Sequence, residues 1–364
     1  MKFIDLNKQY LLYKNEIDEA ITSVLDHGKY IMGPEIAELE QKLENYVGSK
    51  CLTVSSGTHS LEIILRALEI GPGDDVITVP FTWISSSEVI NLVGARPVFV
   101  DIKLNDFNID EKAITDAITP NTKAIIVVNL FGQCPNYNKI RESIPNKITI
   151  IEDAAQSFGA TQNKIKSCAL GDISSTSFFP AKPFGCYGDG GAIFSNNQEL
   201  MKRCSAIRSH GGVVRHHHQY VGTNGRLDTI QAAILLAKFK HFAEEVELRM
   251  EVGEYYNKKL KDYYEIPETI NGNTHVYAQY CLISENRDSI MSHLKDYDIP
   301  TAIYYPKCLH EQPVYEYLGH TLGDFQNSEY ASKNIFSIPM HPYLTRSEQD
   351  KIITKLIDFK KGGI

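Results

Sequence analysis

Three stretches of the chain hold residue types that do chemistry. The first is SFFPAKPFGCYGDGG (177–191), in which Lys182 has a proline two residues before it, another immediately after it, and a glycine-rich run beyond. A lysine held close to a buried sheet end is partly desolvated, which lowers its pKa and frees an amine nucleophile. The ordinary alternative is a surface lysine in a Pro-rich turn, because most lysines are exposed. The second stretch is EDAAQSFGA (152–160). Asp153 ends an isoleucine-rich run, so its carboxylate is expected at the lip of a buried strand, where it needs a partner. Gln156 follows three residues later; a helix cap is the ordinary alternative for Asp153. The third is SSGTHS (55–60), where Gly57 and Thr58 lead from a strand into a helix. Free N–H groups and the helix dipole there favour a phosphate, although a tight turn with Thr58 as N-cap gives the same pattern. An anion cradle, a carboxylate and a lysine together suit pyridoxal phosphate, with Asp153 on the pyridinium nitrogen and Lys182 as the Schiff-base amine. Trp83, the only tryptophan, either stacks on the ring or fills the core.

These residues need a sheet to hold them. Short apolar, β-branched runs occur at 52–56, 75–80, 97–102, 124–130, 148–153, 173–179 and 191–195. Several are apolar at successive positions, as strands covered on both faces are. Helical patterns fill the early gaps. Leu61, Ile64, Leu65 and Leu68 form one stripe, with Gly71 placed to cap it. The alternation predicts an α/β domain with a largely parallel sheet. From Arg226 to Tyr264 the pattern is helical, and the last hundred or so residues read as a smaller α+β domain. The boundary is placed at 245, giving a large domain over 1–245 and a small one over 246–364.

Composition limits the function classes. With 364 residues the chain is long for one ordinary domain. A formal net charge of −8 argues against a general nucleic-acid binder. No apolar stretch approaches the roughly 20 residues a bilayer requires. The first twenty residues carry charges every few positions, which predicts that they are not a signal peptide. Seven scattered cysteines without a CxxC pair read as reduced cytoplasmic thiols. His216, His217 and His218 are adjacent, and neighbouring side chains in a strand diverge, so metal ligation is not expected there.

The chain resembles the sugar aminotransferases of the DegT/StrS type, within the fold-type-I pyridoxal-phosphate enzymes. The resemblance runs nearly end to end. It rests on HGKYIMGPEIAELE, SSGTHSLEIILRAL, GPGDDVITVPFTW, GARPVFVDI, EDAAQSFGA, SFFPAKPFGCYGDGGAIF, NGRLDTIQAAIL, VYAQY and IPMHPYL. It is most similar to the branch that aminates the 3-keto group of nucleotide-linked sugars, including the UDP-2-acetamido-2-deoxy-3-oxo-glucuronate enzymes of O-antigen synthesis. The resemblance implies a mixed, mostly parallel seven-stranded sheet. It implies that Lys182 holds the cofactor and shuttles the proton, that Asp153 pairs with the ring nitrogen, and that Gln156 contacts the ring hydroxyl. Trp83 would stack on the ring. Gly57, Thr58 and Ser177 would hold the phosphate, joined by Asn224 of a second subunit, so that a homodimer shares its sites. The amino donor would be L-glutamate, leaving as 2-oxoglutarate, with pyridoxamine phosphate formed between the half-reactions. Arg215, Arg226, Tyr304 and Lys307 are candidates for the sugar nucleotide.

Two departures stand out. The family commonly reads GTDAL after the phosphate turn, whereas this chain has His59 and Ser60. In the uronate branch a histidine precedes YP; here Tyr304 takes that place, which points to a sugar without a C6 carboxylate. The alternatives are C4 amination of a 4-keto-6-deoxy sugar nucleotide, and a catalytically silent regulator that kept the fold. Related dehydratases replace the lysine, usually with histidine, and Lys182 argues against that activity.

Overall fold

The computed structural model describes residues 1–214 and 216–362. Seven strands form the central sheet: β1 (Cys51–Val54), β2 (Asp75–Thr78), β3 (Arg96–Phe99), β4 (Thr122–Val128), β5 (Thr149–Asp153), β6 (Ile173–Ser177) and β7 (Gly191–Phe194). Their order is β1-β7-β6-β5-β4-β2-β3. β7 runs antiparallel to both its neighbours, and the other pairs are parallel. The expected α/β class and mostly parallel sheet are therefore present, and the family resemblance had the strand number right.

Successive residues of β4 face opposite layers. Ile125 and Val127 join a core with helix Pro34–Val47 and helix Thr229–Phe239. Ala124 and Ile126 join another with helices Gly57–Ala67, Ser85–Leu92 and Gln198–Arg208. Covering both faces explains why the strands read as continuous apolar runs. The parallel strands bring their C-terminal ends to one edge. The register there aligns Val54, Gly191 and Ser177 side by side, which draws the turn after β1 next to the end of β6.

The helix after β1 differs from expectation at both ends. Its N-cap is Ser56, whose hydroxyl accepts from His59 N, and Thr58 lies inside the first turn. It stops at Leu68, and Glu69, not Gly71, takes the left-handed position with φ 59°. Ile70 N then closes the end on Leu65 O at 3.0 Å.

A separate core lies toward the C-terminus. Val252, Tyr256 and Leu260 of helix Phe242–Leu260 pack with β8 (Tyr280–Ile283), β9 (Ile335–Ile338), helix Arg287–Asp296 and helix Arg346–Gly362. β8 and β9 pair antiparallel. Residue 245 falls inside helix Phe242–Leu260, whose first turns (Phe242, Val246) belong to the sheet core. Among the described residues no helix is long and apolar enough to cross a membrane.

Candidate active site

The strand ends at the carboxyl edge build the site. β5 ends in Asp153, 5% exposed. Ser86 Oγ donates to its Oδ2 at 2.8 Å, and Ala155 N donates to Oδ1 at 3.2 Å. Burial pushes the Asp153 pKa up; the Ser86 and Ala155 donors and the charge of Lys182 pull it back. The helix-cap alternative fails, because the donor it meets is the amide two residues on, in a turn with no helix behind it. Lys182 follows β6 in a loop where its own N donates to Phe179 O at 2.9 Å. Burial lowers its pKa, opposed by the Asp153 carboxylate. Lys182 is thus a partly desolvated amine within the field of a buried acid, not a free surface lysine.

Gln156 sits one turn beyond Asp153. Its Oε1 accepts from Phe131 N at 2.8 Å, and its Nε2 donates to Tyr305 Oη at 3.1 Å. The Tyr305 ring lies 6.4 Å from that of Trp83 and 6.1 Å from that of Phe81. Trp83 is 59% exposed, so it does not fill the core. Its indole is available to stack on a bound ring.

The phosphate corner is tight. A Cβ on Gly57 would lie 2.7 Å from Ser177 Cβ. Only glycine lets the first turn of the helix come this near the end of β6, and the two present their polar groups together. Thr58 Oγ1 and Ser85 Oγ share a hydrogen bond of 2.6 Å, and Ser177 Oγ accepts from Phe179 N at 3.2 Å.

The donor set fits pyridoxal phosphate on two counts. Asp153 is buried with hydroxyl and amide partners, which leaves its charge to be met by a ring N–H cation. The Gly57–Ser177 approach places a helix N-terminus and a hydroxyl where a phosphate takes both.

The substrate candidates are less convergent. Tyr304 is half-buried against Phe3, with ring centres 6.2 Å apart, and burial raises its pKa. Lys307 is exposed, in a segment docked to the site by Leu309 N on Pro80 O at 2.8 Å. Arg226 has its Nε buried without a hydrogen-bond partner among the described residues, an unspent donor for an anion. Asn224 is exposed next to Gly225, whose carbonyl accepts from Ser55 N at 2.8 Å. Arg215 lies outside the described residues. His217 and His218 form one strand of a hairpin with Gly212–Val214 and are exposed. No group of three or more His, Cys, Asp or Glu able to hold a metal occurs among the described residues.

Sequence reasoning missed Ser86 and Tyr305, the groups that touch Asp153 and Gln156. Ser86 is one of three consecutive serines, and nothing in that run marks the one that turns to the strand end.

The family model for DegT/DnrJ/EryC1/StrS aminotransferases matches residues 12–357. The chain belongs to this family. The aminotransferase assignment agrees with the lysine and acid at the strand ends. A Pseudomonas aeruginosa relative named UDP-2-acetamido-2-deoxy-3-oxo-D-glucuronate aminotransferase is 46% identical over 348 residues, covering 94% of this chain and 96% of the relative. Among solved structures, a DegT/DnrJ/EryC1/StrS aminotransferase from Brucella abortus matches with a TM-score of 0.95 and 41% identity, covering 99% of both chains. NtdA from Bacillus subtilis, solved with its cofactor PMP bound, matches with a TM-score of 0.89 and 32% identity, over 96% of this chain and 82% of that one.

Proposed function

We propose that this aminotransferase moves the amino group of L-glutamate to the 3-keto carbon of a nucleotide-linked sugar, UDP- or dTDP-borne, for surface-polysaccharide or other glycan synthesis. The observation that carries the reading is the pairing of a buried, cation-seeking Asp153 with a desolvated Lys182 beside the Gly57–Ser177 corner. Pyridoxal phosphate is the cofactor, and when bound it supplies an electrophilic carbon and an electron sink. The chain's residues do the rest. Asp153 would keep a proton on the ring nitrogen, and Ser86 fixes that carboxylate in place. Lys182 is the residue that would hold the cofactor, and its amine would move the proton at the substrate carbon. Gln156, held by Phe131 N and Tyr305, would meet the edge of the bound ring, and Trp83 would lie against its face. Asn224 would complete the phosphate site of a second subunit, which makes the working unit a homodimer in the cytoplasm. The two-domain division near residue 245 belongs to the same reading.

The C6 group is the finer question. Tyr304 carries a phenol that burial keeps neutral, so it gives a carboxylate no cation. That supports a 6-deoxy or 6-hydroxy sugar. The uronate reading has its own support, from the substrate named for the Pseudomonas relative, and would put the carboxylate on Arg226 or Arg215. The test is kcat/KM on matched UDP- and dTDP-linked 3-keto sugars that differ only at C6, with a 4-keto-6-deoxy sugar alongside. A strong preference for the uronate sinks the Tyr304 argument, and preference for the 4-keto sugar sinks C3 amination.

A regulatory reading also has one observation behind it. A Geobacillus stearothermophilus relative, 38% identical over 362 residues and 98% of this chain, is named pleiotropic regulatory protein. Release of 2-oxoglutarate from glutamate separates a working transaminase from a silent regulator.

A further inference from the structure

Behind the loop that carries Lys182 the chain buries a second lysine. Lys238, on helix Thr229–Phe239, is 3% exposed. Its Nζ donates to the carbonyl of Gly185 and lies 5.3 Å from the centre of the Tyr187 ring. The carboxylate whose charge reaches it belongs to Glu245 on the next helix. That carboxylate is itself taken up by Gln9 and Tyr343. Burial lowers the Lys238 pKa to about 8. Desolvating an ammonium is costly, and lysines are rarely buried without a partner that uses them.

The use is visible in the loop. Lys182 N bonds Phe179 O at 2.9 Å, and Cys186 N bonds Phe178 O at 2.8 Å, so the chain leaves β6 and returns on itself with Lys182 between. The return is so close that a Cβ on Gly185 would lie 2.5 Å from Phe179 O and 2.6 Å from Pro180 O. The base of this loop is gripped twice from one helix. Lys238 takes Gly185 O, and Gln231, two turns earlier on the same face, accepts from Tyr187 N at 2.9 Å.

We propose that Lys238 is a positioning residue for Lys182: by holding Gly185, together with Gln231 at Tyr187, it fixes the loop so that the Lys182 amine meets cofactor and substrate in one geometry. The proposal rests on Lys182 being the lysine that bonds the cofactor. Displacements near 1 Å cost about 10² in rate, so a loosened loop is read in kinetics before it is read in folding.

The experiment uses the cofactor-loaded protein and two variants, Lys238→Met and Gln231→Leu. Borohydride reduction of the unmodified protein comes first. A label on any lysine but Lys182 overturns the site assignment, and the proposal with it. With Lys182 labelled, Lys238→Met is expected to slow the single-turnover reaction with glutamate by about 30-fold. The half-saturating glutamate concentration should stay within about threefold, and the pH midpoint of the visible band should move by about half a unit or more. An unchanged midpoint and an unchanged rate per bound cofactor overturn the proposal, whatever happens to the melting temperature. Should Lys238→Met not fold, Gln231→Leu decides: a moved midpoint with slowed turnover supports the two-point grip, and unmoved values overturn it.

Discussion

A methyl group at residue 57 tests the phosphate corner. In Gly57→Ala the new Cβ would lie 2.7 Å from Ser177 Cβ and 3.2 Å from Ser177 Cα and Oγ. Carbon atoms rest about 3.5–4.0 Å apart, so the helix start and the end of β6 must separate by about 1 Å. Neither side yields freely. Ser177 is paired with Gly191, and a Cβ on Gly191 would itself lie 2.6 Å from the Ser56 carbonyl carbon. Residue 57 is also held from its carbonyl, which accepts from Ser60 Oγ at 2.6 Å. Overpacking of this kind costs about 1–3 kcal/mol. The same movement pulls a hydrogen-bond donor away from the phosphate, and a bond to a charged group is worth about 1.5–3 kcal/mol. Pyridoxal phosphate should therefore bind about 10- to 100-fold more weakly. The assay is titration of cofactor into cofactor-free protein, followed by the visible band. Gly71→Ala is the control, because its Cβ would meet only Val93 O at 3.6 Å and its φ is not left-handed. If Gly57→Ala binds within twofold of the unmodified protein while the control also binds normally, the corner does not hold the phosphate.

Other expectations follow from the same geometry. Asp153→Asn keeps the shape and the Ser86 contact but loses the charge, and turnover should fall about 10²–10⁴-fold; near-normal kcat means that Asp153 is not the ring partner. Mixing Lys182→Ala with Asn224→Ala subunits should restore activity in heterodimers that contain one intact site, and a monomer at assay concentration rules out sharing. The protein should weaken in acid. His275 Nδ1 accepts from Tyr277 N at 3.0 Å, and burial lowers its pKa to about 3; His341 Nδ1 accepts from Tyr343 N at 3.2 Å, and burial is the largest cause lowering its pKa to about 4. Both folded values lie below the unfolded value of about 6.5, so the unfolded chain binds protons that the folded chain refuses. Stability should be full above about pH 6.5 and fall below it, by about 1.4 kcal/mol per pH unit for each ring, down to the folded values. Urea midpoints measured between pH 7 and pH 5 check this; a flat profile contradicts it.

Legibility in the sequence followed covalent neighbourhood. Asp153 was readable because an apolar run ends on it, and Lys182 because prolines and glycines flank it. Gly57 was readable as a turn, but that its missing side chain admits Ser177 depends on register across β7. Glu152, beside Asp153, faces the other side of β5 and is fully buried, with six donors that include Asn129 Nδ2 at 2.8 Å and Cys168 N at 2.8 Å. Nothing in the pair Glu-Asp tells which carboxylate meets the site. Tyr304 and Tyr305 pose the same problem: the first drew the sequence argument, and the second bonds Gln156. Lys238 reads as an ordinary helical lysine, because the loop it grips is 53 residues away in the chain. The place of β7 between β1 and β6 was equally hidden, since it depends on long-range pairing and not on local pattern.

The most direct measurement is the glutamate half-reaction on the cofactor-loaded protein without any sugar, read as 2-oxoglutarate released per subunit. The unmodified protein should release about one equivalent, in keeping with one attaching lysine per chain. Lys182→Ala should release none. Release at the unmodified level from Lys182→Ala, or no release from an unmodified protein that binds pyridoxal phosphate, would contradict it.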